Sequence, residues 1–182
     1  MQNRKNTSRR VALCGIFGGF AVACMLLGSV LPFSTFLAPA ISGALILPVA
    51  VEFGPGSGVL LYAAISLLSF FTVPDKEMAL IFIFCLGWYP VAKLRLDKIR
   101  SKVVQWSTKF VLFNISIVGM YAIILFLFPI ASVVAEYKEA GLLFSALLLL
   151  GGNVTFAIYD VALSRFLGLY LNVWRPRLMK LH

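Results

Sequence analysis

Charged residues are bunched into a few short clusters, and the long stretches between the clusters carry none. No charged residue occurs from Val11 to Val51, and the next charge after Glu52 is Asp75. Only 13% of the residues are charged and 61% are hydrophobic, whereas a soluble domain has about 25% charged and about 45–50% apolar residues. Because the chain cannot supply the polar surface of a soluble fold, the sequence predicts that a lipid bilayer surrounds most of it.

Segments that cross the hydrocarbon must satisfy their own backbone groups, so they are helices or strands of a closed barrel. Barrel strands alternate polar and apolar positions, and the run from Leu142 to Leu150 does not alternate. The sequence therefore predicts an all-α, polytopic membrane protein with a six-helix bundle in residues 11–169. The predicted spans are about 11–31, 36–51, 58–73, 78–92, 108–129 and 141–163. Pro48 predicts a bend in the second span, and the Gly and Pro residues of 52–56 predict a turn. The apolar residues after 163 suggest that the last helix continues.

The N-terminal basic tail, residues 1–10, precedes an apolar run in the manner of a signal peptide. The run from Val11 to Leu31 is about twenty residues long, however, and an apolar signal region has about 7–15. About twenty residues are enough to cross a bilayer. We therefore expect a retained first helix rather than a cleaved leader.

The distribution of basic residues predicts the orientation. Of the 16 lysines and arginines, 14 lie in the first tail, in the segment 93–109 and after residue 163, and only Lys76 and Lys138 lie on the other side of the predicted spans. Cytoplasmic loops carry the excess of Lys and Arg. Both termini, including the basic tail 170–182, are therefore predicted to be cytoplasmic.

The segment 93–109 is the longest polar stretch, with six basic residues and one acid. Its apolar residues partly follow helical spacing, which is typical of a basic amphipathic helix on a membrane surface. A plain cytoplasmic loop and a docking surface for a partner are the other two interpretations.

Several chemistries lack the residues that they require. The cysteines Cys14, Cys24 and Cys85 lie within apolar runs without CxxC spacing, so they are interpreted as small hydrophobic residues. The only histidine is His182, and the chain has neither a Walker A nor a GxSxG motif. We predict no catalytic residue, no metal, no cofactor and no enzymatic activity. The net charge of +9 lies at helix ends, which argues against nucleic acid as a partner.

Asp75, Lys76 and Glu77 form the densest charge cluster on the predicted outer face. Asp75 can cap the following helix, and Glu77 in its first turn would complement the helix dipole. Capping does not require Lys76, so the second interpretation is a site for a small polar or zwitterionic ligand, whose amine pairs with an acid and whose carboxylate pairs with Lys76. The residues predicted to complete this site are Thr35 with its neighbour Ser34, Tyr121, Asn153 and the loop from Glu136 to Glu139.

Ionisable or amide side chains within predicted spans are functional candidates by default. They are Asn114, Asn153 and Asp160, and Asn153 lies in a Gly-Gly-Asn sequence where a ligand could approach the backbone. The two asparagines could instead form hydrogen bonds between helices, and Asp160 could pair with Arg165 or another inner base. An intramembrane enzyme would require all three in one cavity.

The small residues Gly15, Gly19 and Ala23 recur every four positions and so form one stripe along the first helix. Such a stripe allows a second helix to approach closely. That helix could belong to this chain or to a different subunit, and the sequence does not decide between them.

With these features the chain resembles the S components, the substrate-binding membrane subunits of energy-coupling factor transporters. The resemblance covers residues 11–169 and rests on length, six helices, cytoplasmic termini, a basic inner face and the stripe in helix 1. It implies an outward ligand site formed by the loops after helices 1 and 3 and the ends of helices 4 to 6, which would include Asp75, Lys76 and Glu77. It also implies docking on a membrane coupling subunit with ATPase subunits in other chains.

The sequence thus predicts a solute-binding subunit of a transporter in a bacterial plasma membrane, with membrane lipid, a small-molecule ligand and the coupling module as partners. A small membrane scaffold or assembly protein without a ligand is the alternative, and an intramembrane enzyme is the second alternative. The first predicts an outer cavity lined by the charged turn. The scaffold predicts a packed bundle with those side chains in water.

Overall fold

The structure, a computed structural model, describes the backbone of residues 2–31, 34–126 and 141–176 and the side chains of residues 7–31, 34–124 and 149–176. Every regular element in these ranges is a helix. The helices are α1 (Gln2–Gly28), α2 (Leu37–Ala44), α3 (Ile46–Phe53), α4 (Pro55–Thr72), α5 (Lys76–Ile81), α6 (Tyr89–Leu96), α7 (Lys102–Phe126) and α8 (Gly141–Leu169). Turns of π-helix follow α5 at Phe82–Leu86 and α8 at Tyr170–Trp174.

Five segments of the described chain are long and apolar enough to cross a membrane. They are Thr7–Gly28, Pro55–Thr72, Lys76–Leu96, Lys102–Ile124 and Leu149–Trp174. The predicted all-helical membrane protein is confirmed at this level. The second predicted span, 36–51, corresponds to a shorter apolar segment, Leu37–Phe53, so the described residues give five full-length segments rather than six.

The short segment is broken at Leu45 into two helices of eight residues each. Pro48 explains the break, because a proline has no N–H to donate and its ring collides with the carbonyl four residues earlier. That carbonyl belongs to Ala44, the last residue of α2. Pro48 then lies in the first turn of α3, where proline is tolerated. The predicted bend is therefore a one-residue interruption at Leu45, whose φ of −66° and ψ of −13° stay in the right-handed helical region.

The segment 76–96 is also irregular. The Gly87 N–H donates to the Phe82 carbonyl at 2.7 Å, five residues back, which widens the helix into a π turn. A Cβ on Gly87 would lie 2.7 Å from that carbonyl oxygen, so only glycine fits. Pro90 lies in the first turn of α6 and starts a new helix, which carries Tyr89 and Lys93 into the bundle.

The buried residues form two apolar clusters. The first joins α1, α3 and α4 with the start of α5, around residues such as Met25, Ile65 and Phe82. The second joins the segment 80–89 with α7 and α8, around Met120 and Phe156. The bundle therefore has two halves, one built on α1 and α4 and the other on α7 and α8. Between them lie α2, α3 and the segment 76–96.

At Gly43, α2 closely approaches both the π turn and α8. A Cβ at this position would lie 2.5 Å from both the Leu86 carbonyl oxygen and the Tyr159 hydroxyl, and that hydroxyl donates to the same carbonyl at 3.1 Å. Glycine therefore allows α2 to touch the backbone of the π turn.

Several predicted segments have different bounds in the structure. The predicted loop 93–109 is divided between the last turn of α6, a short turn at residues 97–101 and the first turns of α7. The helix continues past the predicted end at residue 163, as the apolar residues of the tail suggested. The predicted turn at residues 52–56 is reduced to Gly54, whose φ of +86° favours glycine, and Pro55 begins α4.

Some predictions fall on residues that the structure does not describe. These are part of the outer turn after the first helix, the end of the fifth span, the outer loop 132–140 with Glu136, Lys138 and Glu139, and the tail 177–182.

Candidate functional site

At the predicted outer turn, Asp75 and Lys76 close the ends of the two helices that the turn connects. The Asp75 carboxylate accepts a hydrogen bond of 3.0 Å from the Met78 backbone N–H, so the predicted N-cap is confirmed. The Lys76 ammonium donates to the carbonyls of Phe70 at 2.8 Å and Val73 at 3.0 Å. Lys76 therefore satisfies carbonyls that the end of α4 leaves without helical partners, a role that the cap argument from sequence had not given it.

The other residues predicted to line a site at this turn lie at or near helix ends. Ser34 is buried and donates to the carbonyls of Gly28 and Leu31, and Thr35 beside it is half-buried. A Cβ on Gly28 would touch both Ala38 and Met78, so the ends of α1, α2 and α5 meet here. Glu77 and Tyr121 are half-buried, and Tyr121, near the C-terminal end of α7, packs against the second apolar cluster.

Asn153 is engaged elsewhere, with Asn114 of α7. The Asn114 amide donates to the Asn153 side-chain oxygen at 2.8 Å, and the Asn153 amide donates back at 3.1 Å. Each amide also donates to the carbonyl one turn earlier, that of Phe110 or Leu149. The prediction that the two asparagines bond between helices is confirmed, and the pair fixes the register of α7 against α8.

The strongest polar feature of the described chain is a buried cluster of two acids and two lysines, here called the ionic cluster. Asp160 of α8 lies 2.5 Å from the Lys93 ammonium and 2.9 Å from that of Lys109. Asp97, in the turn after α6, lies 3.1 Å from Lys93 and 2.6 Å from Lys109. Each lysine thus contacts both acids, and the four charges sum to zero.

Two neutral side chains complete the ionic cluster. The Tyr89 hydroxyl donates to Asp160 Oδ1 at 2.5 Å, and the Gln105 amide donates to Asp97 Oδ1 at 2.8 Å. Lys93, Lys109 and Asp160 expose 1%, 2% and 3% of their surface, whereas the Asp97 side chain is 37% exposed. Buried charges need both opposite partners and hydrogen bonds, and the cluster supplies both, so it fastens α6, α7 and α8 together.

Sequence reasoning predicted one part of this cluster and missed the rest. Asp160 was expected to pair with Arg165 or another inner base, and its partners are two other bases, Lys93 and Lys109. Both lysines were assigned to a cytoplasmic loop, because they flank apolar runs. The available signal was the spacing of Lys93 and Asp97, four residues apart on one helix face.

The pair of Asn114 and Asn153 lies apart from the ionic cluster. Phe113 stacks on Phe156 with ring centroids 4.4 Å apart, and Phe110 meets the same ring edge-on at 5.9 Å. Phe156 lies between Asn153 and Asp160 along α8. The asparagine pair and the ionic cluster are therefore divided by an aromatic layer, whereas the enzyme alternative requires one shared cavity.

Glu52, which the sequence leaves isolated on the inner face, also has partners. Arg175 Nε lies 2.9 Å from its Oε1, and the Tyr170 hydroxyl donates to the same oxygen at 3.3 Å. The end of α3 is thereby tied to the end of α8.

The small-residue stripe of α1 faces out of the bundle. Gly15, Gly19 and Ala23 are all exposed, and a Cβ on either glycine would meet no atom of residues 7–31, 34–124 and 149–176 within 4 Å. The face of α1 that packs within the chain carries Ala21 and Met25 instead. The described residues therefore do not show the first interpretation of the stripe, which is packing against a helix of the same chain.

The cysteines lie among apolar residues. Cys14 packs against the first cluster and Cys85 lies in the second, and all three are free thiols. Within the described residues no group of three or more His, Cys, Asp or Glu side chains is arranged to hold a metal.

Comparisons of the chain with protein-family models, with curated proteins and with solved structures found no match.

Proposed function

We propose that this chain is a membrane-embedded solute-binding subunit of a transporter. It captures a small polar nutrient at the outer end of the bundle and docks on an ATP-driven coupling module whose chains are separate. In this proposal both termini are cytoplasmic, the membrane is a bacterial plasma membrane, and the chain itself catalyses no reaction.

The observation that carries the proposal is the outward stripe on α1. In a membrane, helices associate through close packing rather than through hydrophobic burial, and small residues allow that approach. A Cβ on Gly15 or Gly19 would have no neighbour within 4 Å in the part of the chain that the structure describes. A stripe used only for internal packing would face the bundle, so its outward direction favours contact with a different subunit.

The outer turn keeps chemical capacity for a ligand after its capping bonds are made. An ammonium group has three donors and a carboxylate about four acceptor sites. Lys76 donates two bonds to α4, and Asp75 accepts one from α5. A zwitterion could still receive one N–H from Lys76 and donate to Asp75, with Glu77 beside them.

The test of docking is purification of the tagged protein from its own host membranes. The expected preparation hydrolyses ATP, because an ATPase module remains attached, and a Gly15→Leu/Gly19→Leu variant loses this activity. Gly119→Leu on α7 is the control, since a Cβ there also meets no atom of the described residues within 4 Å. A preparation without ATPase activity, or one in which both variants keep it, contradicts the proposal.

A membrane scaffold without a ligand is the second candidate, and one observation favours it. Asp75 and Lys76 have structural roles as caps, so the charged turn needs no ligand to explain it. In this case Asp75→Asn/Glu77→Gln changes neither a bound molecule nor stability, because asparagine caps helices as well as aspartate does.

A further inference from the structure

The six basic residues of the segment 93–109 fall into two groups that only the fold separates. Lys93 and Lys109 are buried in the ionic cluster. The four bases between them in sequence are all exposed, namely Arg95, Lys98, Arg100 and Lys102. They lie on the last turn of α6, the connecting turn and the first residue of α7, here called the cationic turn.

The acids at the predicted inner end are already used by other bases. Among the described residues they are Glu52, Asp97 and Asp160, and each lies in an ion pair with Arg175 or with the two buried lysines. The ion pairs found in the described chain do not include the cationic turn. Its four positive charges are therefore not balanced by a neighbouring carboxylate of these residues.

Exposed apolar residues follow the cationic turn at the start of α7. Val103 and Val104 open α7 and expose 77% and 52% of their surface. The two apolar spans that meet at the turn end at Leu96 and begin at Lys102. The charges thus lie between the ends of two candidate membrane spans, and the two valines are the first apolar residues of the second span.

From this arrangement we propose that the cationic turn binds the phosphate headgroup of an anionic phospholipid. The four cations contact the headgroup and its neighbours, and Val103 and Val104 contact the upper acyl chain. Basic residues next to a span are attracted to anionic leaflets. A soluble acidic protein would match the charges but could not reach the valines at the level of the acyl chains, so the lipid is the better match.

The test is native mass spectrometry of the delipidated, detergent-purified full chain titrated with phosphatidylglycerol or with phosphatidylcholine of the same acyl chains. We expect phosphatidylglycerol to be retained preferentially. Replacing one cation of the turn by glutamine should weaken binding about fivefold, given an attraction of about 1 kcal/mol per basic residue. In the variant with all four cations replaced, the affinity for phosphatidylglycerol should fall at least about tenfold.

The charge-matched control replaces Arg4, Lys5, Arg9 and Arg10 by glutamine, which removes the same four charges from the N-terminal tail. A loss confined to the cationic-turn variant supports the proposal. Equal losses in both variants would mean a diffuse field of the inner face, and no loss in the turn variant would mean that the lipid binds elsewhere, and either result overturns it.

Two further arms complete the experiment. Inorganic phosphate and glycerol 3-phosphate are added as competitors, and displacement of the lipid by either one at equal concentration assigns the turn to a free phosphate compound instead. The charge-conserving variant Lys98→Arg/Lys102→Arg should keep its preference for phosphatidylglycerol. Loss of binding in that variant contradicts an electrostatic site, whatever the folding of the glutamine variants.

Discussion

Replacing Asp160 by asparagine tests the ionic cluster, because it removes one charge and changes almost nothing in size. Asp160 accepts hydrogen bonds from Tyr89, Lys93 and Lys109. In Asp160→Asn the two lysines share only Asp97, so a buried ammonium is left without its carboxylate. Asp97 cannot replace the lost charge, since both of its oxygens already contact the lysines.

The expected cost follows from burial. Removing one partner of a buried ion pair typically destabilises a protein by about 3–5 kcal/mol, and Asp160 and its two lysines are at most 3% exposed. A second substitution, Lys93→Met, removes the excess charge and fills a similar volume. Lys109 and Asp97 then remain as a balanced pair, so Asp160→Asn/Lys93→Met should recover at least about 1.5 kcal/mol of the loss, within the range of coupling energies for residues in contact.

The assay is unfolding of the detergent-solubilised protein by titration with a denaturing detergent, followed by tryptophan fluorescence. The prediction is that Asp160→Asn is less stable than either the original protein or the double variant. If Asp160→Asn unfolds at the original midpoint, or if adding Lys93→Met makes it worse, the charge-balance argument is refuted.

Three further predictions concern helix packing and capping, each measured by the same titration. Asn114→Ala and Asn153→Ala should each cost about 0.6–1.7 kcal/mol, and the double variant little more than either, because they remove the same bonds; additive losses would contradict this. Gly43→Ala should cost about 1–3 kcal/mol through overpacking, whereas Gly119→Ala, whose Cβ would meet no described atom within 4 Å, should be neutral or slightly stabilising; equal effects would refute the close contact. Asp75→Ala should cost about 0.5–2 kcal/mol while Asp75→Asn costs little, and a large loss in the latter would point to a role for the charge.

The membrane spans and the cap at Asp75 could be predicted because both depend on local sequence. A charge-free run of about twenty residues can be placed in a bilayer without knowledge of the rest of the chain. An aspartate before an apolar helix is a cap wherever that helix lies. Pro48 likewise predicted a bend from its own covalent geometry, although not the interruption of the helix at Leu45.

The ionic cluster could not be predicted in full because the reach of a lysine separates its charge from its backbone. Lys93 and Lys109 lie at span ends, where the side chain can extend either to the interface or into the bundle. Which direction is taken depends on Asp160, fifty-one residues beyond Lys109, and on how α6 and α7 pack against α8. The π turn at Phe82–Leu86 has no local signal comparable to a proline either.

The direction of the α1 stripe also could not be predicted from the sequence, because it depends on how α1 packs against the other helices. Spacing alone placed Gly15, Gly19 and Ala23 on one face, but whether that face met the bundle depended on the rotation of the whole helix. The packing of Ala21 and Met25 into the first cluster fixes that rotation and turns the stripe outward.

The measurement that tests the proposed function most directly is native mass spectrometry of the protein purified from its own host, beside the Asp75→Asn/Glu77→Gln variant. This variant preserves the helix cap and removes both acids of the outer turn. A solute-binding subunit should carry a small polar molecule that is lost or reduced in the variant, and the mass of that molecule would identify its chemical class. Protein that is empty in both forms, with the same stability in both, would contradict the solute-binding proposal and favour the scaffold.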